Sequence, residues 1–284
     1  MKLKQILTTY DESYAAEYED VFIFSDWAKN SVTFQLEELR KILDNCDSWL
    51  DVACGTGFIL SQFQGINKTG LDISPAMLEV ARKKNPDVPF VLGNFLDEFP
   101  EWEGKWDLVS CMWWSYTLVE SITEIRTLIS NMARWTSEKG TCVVPLCNPQ
   151  KLDSKNINIP YVDSKVSGKI FITGITWSWI QENGKRHDDM VSPQVEHMVL
   201  MFKEFFHDVE IIEGPLGQIG EGWRVHDILV ASRKKNKRTL EPLLNYDLFK
   251  YKEQKVKSFP GQSYQAVKNY LLQIYNKSIE LIKK

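Results

Sequence analysis

The sequence has no long apolar run. No segment reaches the roughly 18 consecutive apolar residues of a membrane-spanning helix, so no helical span is expected. The opening residues, MKLKQILTTYDESY, lack the apolar stretch of a secretory signal, and a cytoplasmic chain is expected. Cysteine is sparse: Cys46, Cys54, Cys111, Cys142 and Cys147 are odd in number and none sits in a C-x-x-C pair. The longer Cys142-to-Cys147 spacing has no nearby His, so reduced core thiols are expected, with neither a disulfide framework nor a metal site. Internal repeats are also missing, which excludes a solenoid.

What is present is ordinary globular composition, 43% hydrophobic and 25% charged over 284 residues. That length fits one large α/β domain with additions, or two small domains. The net charge of −4 is unevenly spread: Arg233 to Lys284 carries a balance of +9 and the rest −13. The tail therefore differs in kind from the body.

Strand-like and helix-like patterns alternate, which predicts a parallel sheet covered by helices. Strands are expected at Trp49 to Ala53, near Thr69 to Asp72, at Pro89 to Leu92, Trp106 to Met112 and Thr141 to Leu146, the last entered through a Lys139-Gly140 turn. Helices are expected at Ile59 to Gln64, from Ser74-Pro75 onward with Ser74 as N-cap, and over Ile122 to Trp135. Lys169 to Gln181 reads as a long strand returning through Asn183-Gly184 into Arg186 to Val191, a hairpin signal because both turn residues tolerate positive φ. Ser192-Pro193 then reads as a helix start, followed by strands at Val209 to Ile212 and Asp227 to Ala231 around a Gly-rich segment, Gly214 to Gly222. Arg233 to Gln262 reads as a basic linker or strap, and Ser263 to Lys284 as a final helix.

The motif with chemical content is Leu50-Asp51-Val52-Ala53-Cys54-Gly55-Thr56-Gly57, a strand entering a two-glycine turn. Glycine suits a place where a ligand lies against bare backbone and φ is positive. Such a turn lies at the carboxyl ends of parallel strands, where open α/β sheets bind ligands. A third glycine, as in G-x-G-x-x-G, is absent, which argues against a dinucleotide. Asp72 ends the second strand, where a carboxylate accepts from ribose hydroxyls. Asn94 and Phe95 follow the third strand, where a polar side chain and an aromatic suit an adenine. Each of these elements alone has an ordinary structural explanation; three at successive strand ends do not share one.

Together LDVACGTG and GLDISPAMLEVARKK resemble the class I S-adenosylmethionine-dependent methyltransferases over Trp49 to Leu146, with Asp227 to Arg233 as a final strand. Where that family usually has a Pro-Gly-Gly turn before its fifth strand, this chain has Glu138-Lys139-Gly140. The resemblance implies a Rossmann-like three-layer α/β sandwich with a seven-stranded, mostly parallel sheet whose last strand is antiparallel. An inserted β-hairpin at about 168–191 and a C-terminal helical extension complete the expected architecture. It further implies lid helices at 1–46, a methyltransferase core at 47–232 and a basic extension at 233–284.

The cofactor implied is S-adenosylmethionine, leaving as S-adenosylhomocysteine. In this reading Ala53, Gly55 and Gly57 contact its methionine part and Asp72 its ribose. Ile73 and Met77 flank the adenine, while Asn94 and Phe95 hold its edge and face. Asp51, Met112 and Trp113 complete the cofactor set, and Cys111 to Trp114 lie beside the transferring methyl. Tyr10 to Tyr14 resembles the lid helix of small-molecule methyltransferases, with Tyr14 closing over the cofactor. Asn94 stands where many relatives have Asp, which implies altered binding.

The sulfonium methyl is already activated, so the protein mainly supplies alignment and, where needed, proton removal. His226 is the first choice of base, ahead of Tyr116 and Glu120, and Tyr14 joins His226 and Tyr116 in the expected catalytic set. Trp113 and Trp114 suit a sulfonium through cation–π attraction, or pack the core. Trp177 and Trp179 stack on a flat or sugar-like substrate, or pack the core. The expected reaction is methyl transfer to N or O of a small molecule, with a loose likeness to deoxyamino-sugar N-methyltransferases. Nucleic acid is not the expected partner: the body is acidic and no Asn-Pro-Pro-Tyr motif is present. An RNA methyltransferase using the basic tail, and a non-catalytic cofactor-binding scaffold, stay open as alternatives. Asp72→Ala is expected to remove most cofactor affinity with little loss of stability.

Overall fold

Seven of the apolar segments pair into one sheet, whose inner strands bury side chains on both faces and leave their backbones to neighbouring strands. The computed structural model describes residues 2–25, 28–148, 174–180, 186–215 and 226–239. The chain divides into two units, Met1–Leu240 and Glu241–Lys284. The second unit, with most of the basic segment and the expected helix Ser263 to Lys284, lies outside the described residues. So do residues 149–173, the Asn183-Gly184 turn and most of the Gly-rich segment, 216–225.

The strands are β1 (Ser48–Val52), β2 (Asn67–Asp72), β3 (Phe90–Leu92), β4 (Trp106–Ser110), β5 (Thr136–Leu146), β6 (Gly174–Ile180), β7 (Arg186–Pro193), β8 (Phe206–Ile212) and β9 (Asp227–Lys234). The main sheet runs β3-β2-β1-β4-β5-β9-β8. Neighbours are parallel from β3 through β5, while β9, last among the described residues, is antiparallel to both β5 and β8. The strand order reverses between β1 and β4, the position beyond which such sheets bind ligands. A separate ribbon pairs β6 with β7.

The helices are α1 (Lys2–Thr9), α2 (Glu12–Phe22), α3 (Lys29–Leu43), α4 (Phe58–Ser61), α5 (Pro75–Lys84), α6 (Ile122–Trp135) and α7 (Val195–Lys203). α5 packs on β2 and β3, α6 on β4 and β5, and α7 on β8 and β9. Leu39, Trp49, Leu60, Leu78, Leu108, Val143 and Ile228 form one buried cluster, which draws α3, α4 and α5 onto β1, β4, β5 and β9. Local chemistry sets the helix starts. Ser74 accepts from the Met77 N–H at 3.2 Å with Pro75 behind it, and Arg82, Lys83 and Lys84 fill the last turn of α5. Ser121 caps α6 in the same way, and Glu124 reaches back to the Glu120 N–H at 2.6 Å.

Three elements differ from the sequence reading. α4 is a single turn, shorter than Ile59 to Gln64. β5 begins at Thr136, and its pairing with β4 slips across residues 137–140, so Lys139-Gly140 is a bulged part of the strand and not a turn before it. Gly140 is required there: a Cβ would lie 2.8 Å from the Trp106 carbonyl oxygen and 2.9 Å from that of Asp107. Ser192-Pro193 does not start a helix. Ser192 pairs with Ile175 in the ribbon and its hydroxyl accepts from the Trp177 indole N–H at 2.8 Å, so β7 runs on through Pro193.

Candidate functional site

At the carboxyl end of β1 the chain turns through Ala53, Gly55 and Gly57, all at positive φ (55°, 55° and 68°). The two glycines serve different ends. A Cβ on Gly57 would lie 2.8 Å from Asn85 Nδ2 and 3.1 Å from Ala81 Cβ, so Gly57 lets α5 approach the turn. A Cβ on Gly55 would meet nothing within 4 Å, so Gly55 turns bare backbone toward open space. Beside it stands Asp72, at the tip of β2. Its Oδ2 accepts from the Gly55 N–H at 2.8 Å and its Oδ1 from the Ser74 N–H at 2.8 Å. Burial pushes its pKa up, and backbone N–H groups of Ser74, Gly55 and Ile73 oppose that shift.

Asp51, one strand away, is 1% exposed and accepts from Ser110 Oγ at 2.6 Å; Ser110 in turn accepts from the Trp49 indole N–H at 2.8 Å. Burial pushes Asp51 up to about 7, with the Ser110 hydrogen bond opposing and the nearby Asp72 charge adding to it. Ile73 is half-buried and Met77 fully buried at the start of α5. Asn94 turns its side-chain oxygen back onto the Leu96 N–H at 2.9 Å. The Phe95 carbonyl accepts from Asn131 Nδ2 at 3.0 Å, with the Phe95 ring half-buried.

The N-terminal helices close over the same end of the sheet. Tyr14, capped in place by Asp11, packs in one cluster with Ala15, Phe22 and Met77. Ser74 Oγ donates to the Tyr10 carbonyl at 2.8 Å. Thr56 Oγ1, in the glycine turn, donates to Glu19 at 2.6 Å, and Glu19 also pairs with Lys84. Tyr14 Oη lies 3.1 Å from Nε2 of His187, on β7, with Tyr10 edge-on to both rings.

A second group gathers beyond β4. Trp113 and Trp114 both adopt φ of 57°, a region that costs a bulky residue energy and that clusters at functional sites. The Trp114 ring lies against His226, centroids 4.1 Å apart and tilted 33°, and is edge-on to Trp177. Trp113 meets His226 edge-on at 5.7 Å. His226 Nδ1 lies 3.2 Å from Gln35 Nε2 on α3. Met112, just before, is buried. Tyr116 stands apart from this group: it is buried, its hydroxyl accepts from the Cys147 N–H at 2.7 Å, and burial raises its pKa.

The structure thus joins Gly55 to Asp72, packs Met77 against Tyr14, and gathers Trp113, Trp114 and His226 beyond β4. Tyr116 it fastens to the end of β5. The sequence reading did not single out Gln35, Glu19, Ser110 or His187 as site residues. Gln35 did carry a signal, as a polar residue spaced i, i+4 between Ser31 and Leu39 on a buried helix face.

The methyltransferase domain family matches residues 50–140. A dTDP-4-amino-2,3,4,6-tetradeoxy-D-glucose N,N-dimethyltransferase of Saccharopolyspora spinosa is 28% identical over 180 residues, 59% of this chain and 68% of that protein. Among solved structures, the SAM-bound amino pentose methyltransferase CalS10 from Micromonospora echinaspora superposes with a TM-score of 0.53 at 20% identity, over 78% of this chain and 96% of that one. The DhpI protein in its SAH complex superposes with a TM-score of 0.58 at 15% identity, over 83% and 98%.

Proposed function

We propose that this chain, a class I S-adenosylmethionine-dependent methyltransferase, transfers a methyl group to an amine nitrogen of a small, sugar-like molecule. The observation that carries the reading is Gly55: bare backbone facing open space, with the Asp72 carboxylate 2.8 Å from its N–H. A cradle with no Cβ beside an acid at the neighbouring strand tip fits the methionine and ribose parts of the cofactor. The nitrogen acceptor and the amino sugar are drawn from the 28% identical relative, whose named activity is N,N-dimethylation of such a sugar.

Bound S-adenosylmethionine supplies a methyl already activated on a sulfonium. Asp72 would accept from the ribose hydroxyls, Ala53, Gly55 and Gly57 would line the methionine part, and Ile73 and Met77 would flank the base with Asn94 and Phe95. Asp51 lies beneath the cradle. Tyr14 and α2 close the site and shut out water. Met112, Trp113 and Trp114 border the acceptor, with His226 holding it in line. An amine acceptor would have to arrive neutral, with its lone pair free for the methyl that the bound cofactor would supply, and its surplus proton would pass to water. Tyr116 serves as a strut for the acceptor wall. Residues 1–46 act as the lid and 47–232 as the core. Among the described residues no helix is long and apolar enough to cross a membrane.

Incubation with methyl-labelled cofactor and a panel of aminodeoxy sugar nucleotides, followed by mass spectrometry, tests this. Label on the amine nitrogen is the expected result. Label only on oxygen, or none on any amine despite cofactor binding, overturns it.

A further inference from the structure

The helix α2 is fastened at both ends to the elements that form the candidate cofactor site. Just ahead of its first turn, the Tyr10 carbonyl accepts from Ser74 Oγ at 2.8 Å, at the start of α5. In its last turn, Glu19 Oε1 accepts from Thr56 Oγ1 at 2.6 Å and also pairs with Lys84, at the end of α5. Asp72 joins the two fastenings. One of its oxygens takes the Ser74 N–H, and the other takes the N–H of Gly55, the neighbour of Thr56. Hydrogen bonds thus run in a circuit from α2 through α5 and the glycine turn and back to α2.

Glu19 closes that circuit. Its side chain is 15% exposed, and a carboxylate so far from water needs a charged or hydrogen-bonding partner. Lys84 supplies the charge. Thr56 is 1% exposed, and its hydroxyl proton goes to Glu19. A hydrogen bond to an ionised acceptor is among the stronger kinds. Tyr14 stands on the same helix and packs with Met77, the residue expected beneath the adenine, so the seat of Glu19 also fixes where Tyr14 rests.

We propose that Glu19 is a positioning residue: by holding the Thr56 hydroxyl it latches α2 onto the glycine turn and sets how often that helix lifts. Every atom of the latch belongs to the protein, so it restrains the entry and the exit of the cofactor alike. This rests on the reading that α2 covers the cofactor, and it assigns the control of cofactor exchange to a contact that the cofactor does not touch.

Hydrogen exchange of the full chain, followed by mass spectrometry, tests the latch with no ligand added. Thr56→Val keeps the side-chain shape and loses the hydroxyl. It is expected to speed exchange of the α2 amides roughly tenfold, the worth of one hydrogen bond, and to leave those of α6 unchanged. Thr56→Ser is expected to restore protection. Glu19→Ala opens the latch from the other side and is expected to loosen α2 at least as much, with Thr56→Val adding nothing further to it. Wild-type exchange of α2 in either folded variant overturns the proposal, as do additive effects in the double variant. Should one variant fail to fold, the other decides. With S-adenosylhomocysteine as the probe, stopped-flow measurements on Thr56→Val are expected to show association and dissociation both roughly tenfold faster, leaving Kd near its wild-type value. A faster dissociation alone, with Kd weakened to match, would place the damage in the cradle and overturn the latch. No binding of this probe by the wild type, with α2 loosened in the variants as expected, would count against the proposed function and not against the latch.

Discussion

Asp72 receives hydrogen bonds from two backbone N–H groups on different turns, Gly55 and Ser74, while 8% exposed. Removing its carboxylate therefore strands two donors and, on the proposed reading, takes away the ribose's partner as well. Asp72→Ala is expected to abolish measurable cofactor binding in calorimetry and to destabilise the fold by roughly 1–3 kcal/mol, seen as a lower melting temperature. This revises the expectation of little stability loss, because the sequence does not show that the acid also braces the glycine turn. Unchanged cofactor affinity in the variant would reject the assignment. Asp51 gives a pH signature. Its carboxyl in the folded chain is raised to about 7, chiefly by burial. Between the ordinary carboxylate range and 7 the folded state holds a proton that the unfolded state has released. Stability therefore falls as pH rises through that window. Asp51→Asn keeps an oxygen for Ser110 and has no charge to bury, so its stability is expected to stay flatter from pH 5 to about 7.5. Denaturant melts of both proteins across that range check it; parallel curves would reject it.

At the scale of the elements, the turn between β1 and α4 sets a packed glycine, Gly57, two residues from an open one, Gly55, to which the proposed function gives the cofactor. Gly55→Ala puts a methyl into open space at φ +55°, at a cost of about 1–2 kcal/mol. Cofactor affinity is expected to fall far more, because the methyl occupies the cradle. Gly57→Ala drives its methyl against Asn85 and Ala81 and is expected to melt at lower temperature than Gly55→Ala. Paired calorimetric and thermal measurements check both, and equal effects on binding and stability would contradict the division. The same turn explains what was legible beforehand. A strand, a glycine turn and a capped helix are local signals, so β1, β2, Asp72 and the Ser74 cap could be read from neighbouring letters. Lys139-Gly140 and Ser192-Pro193 were misread for the converse reason. A bulge against Trp106 and a hydroxyl held by Trp177 are decided by partners far along the chain. Tyr14 and His187 lie 173 residues apart, and Gln35 and His226 lie 191 apart; no local pattern joins either pair.

On the scale of the whole molecule, the unit Met1–Leu240 contains every site residue named above, and its sheet is closed by β8 and β9. A chain ended at Leu240 is expected to fold cooperatively and to bind S-adenosylmethionine within a fewfold of the full chain, in calorimetry and thermal melts. Loss of binding in a folded, truncated protein would show that the basic segment has a part in the site. The Tyr14–His187 hydrogen bond spans the unit in another sense, because it fastens the first helices to a ribbon inserted late in the chain. One bolt thus serves two doors. If the donor lies under the helices and the recipient beside the ribbon, as proposed, breaking that one hydrogen bond is expected to loosen the cover over both at once.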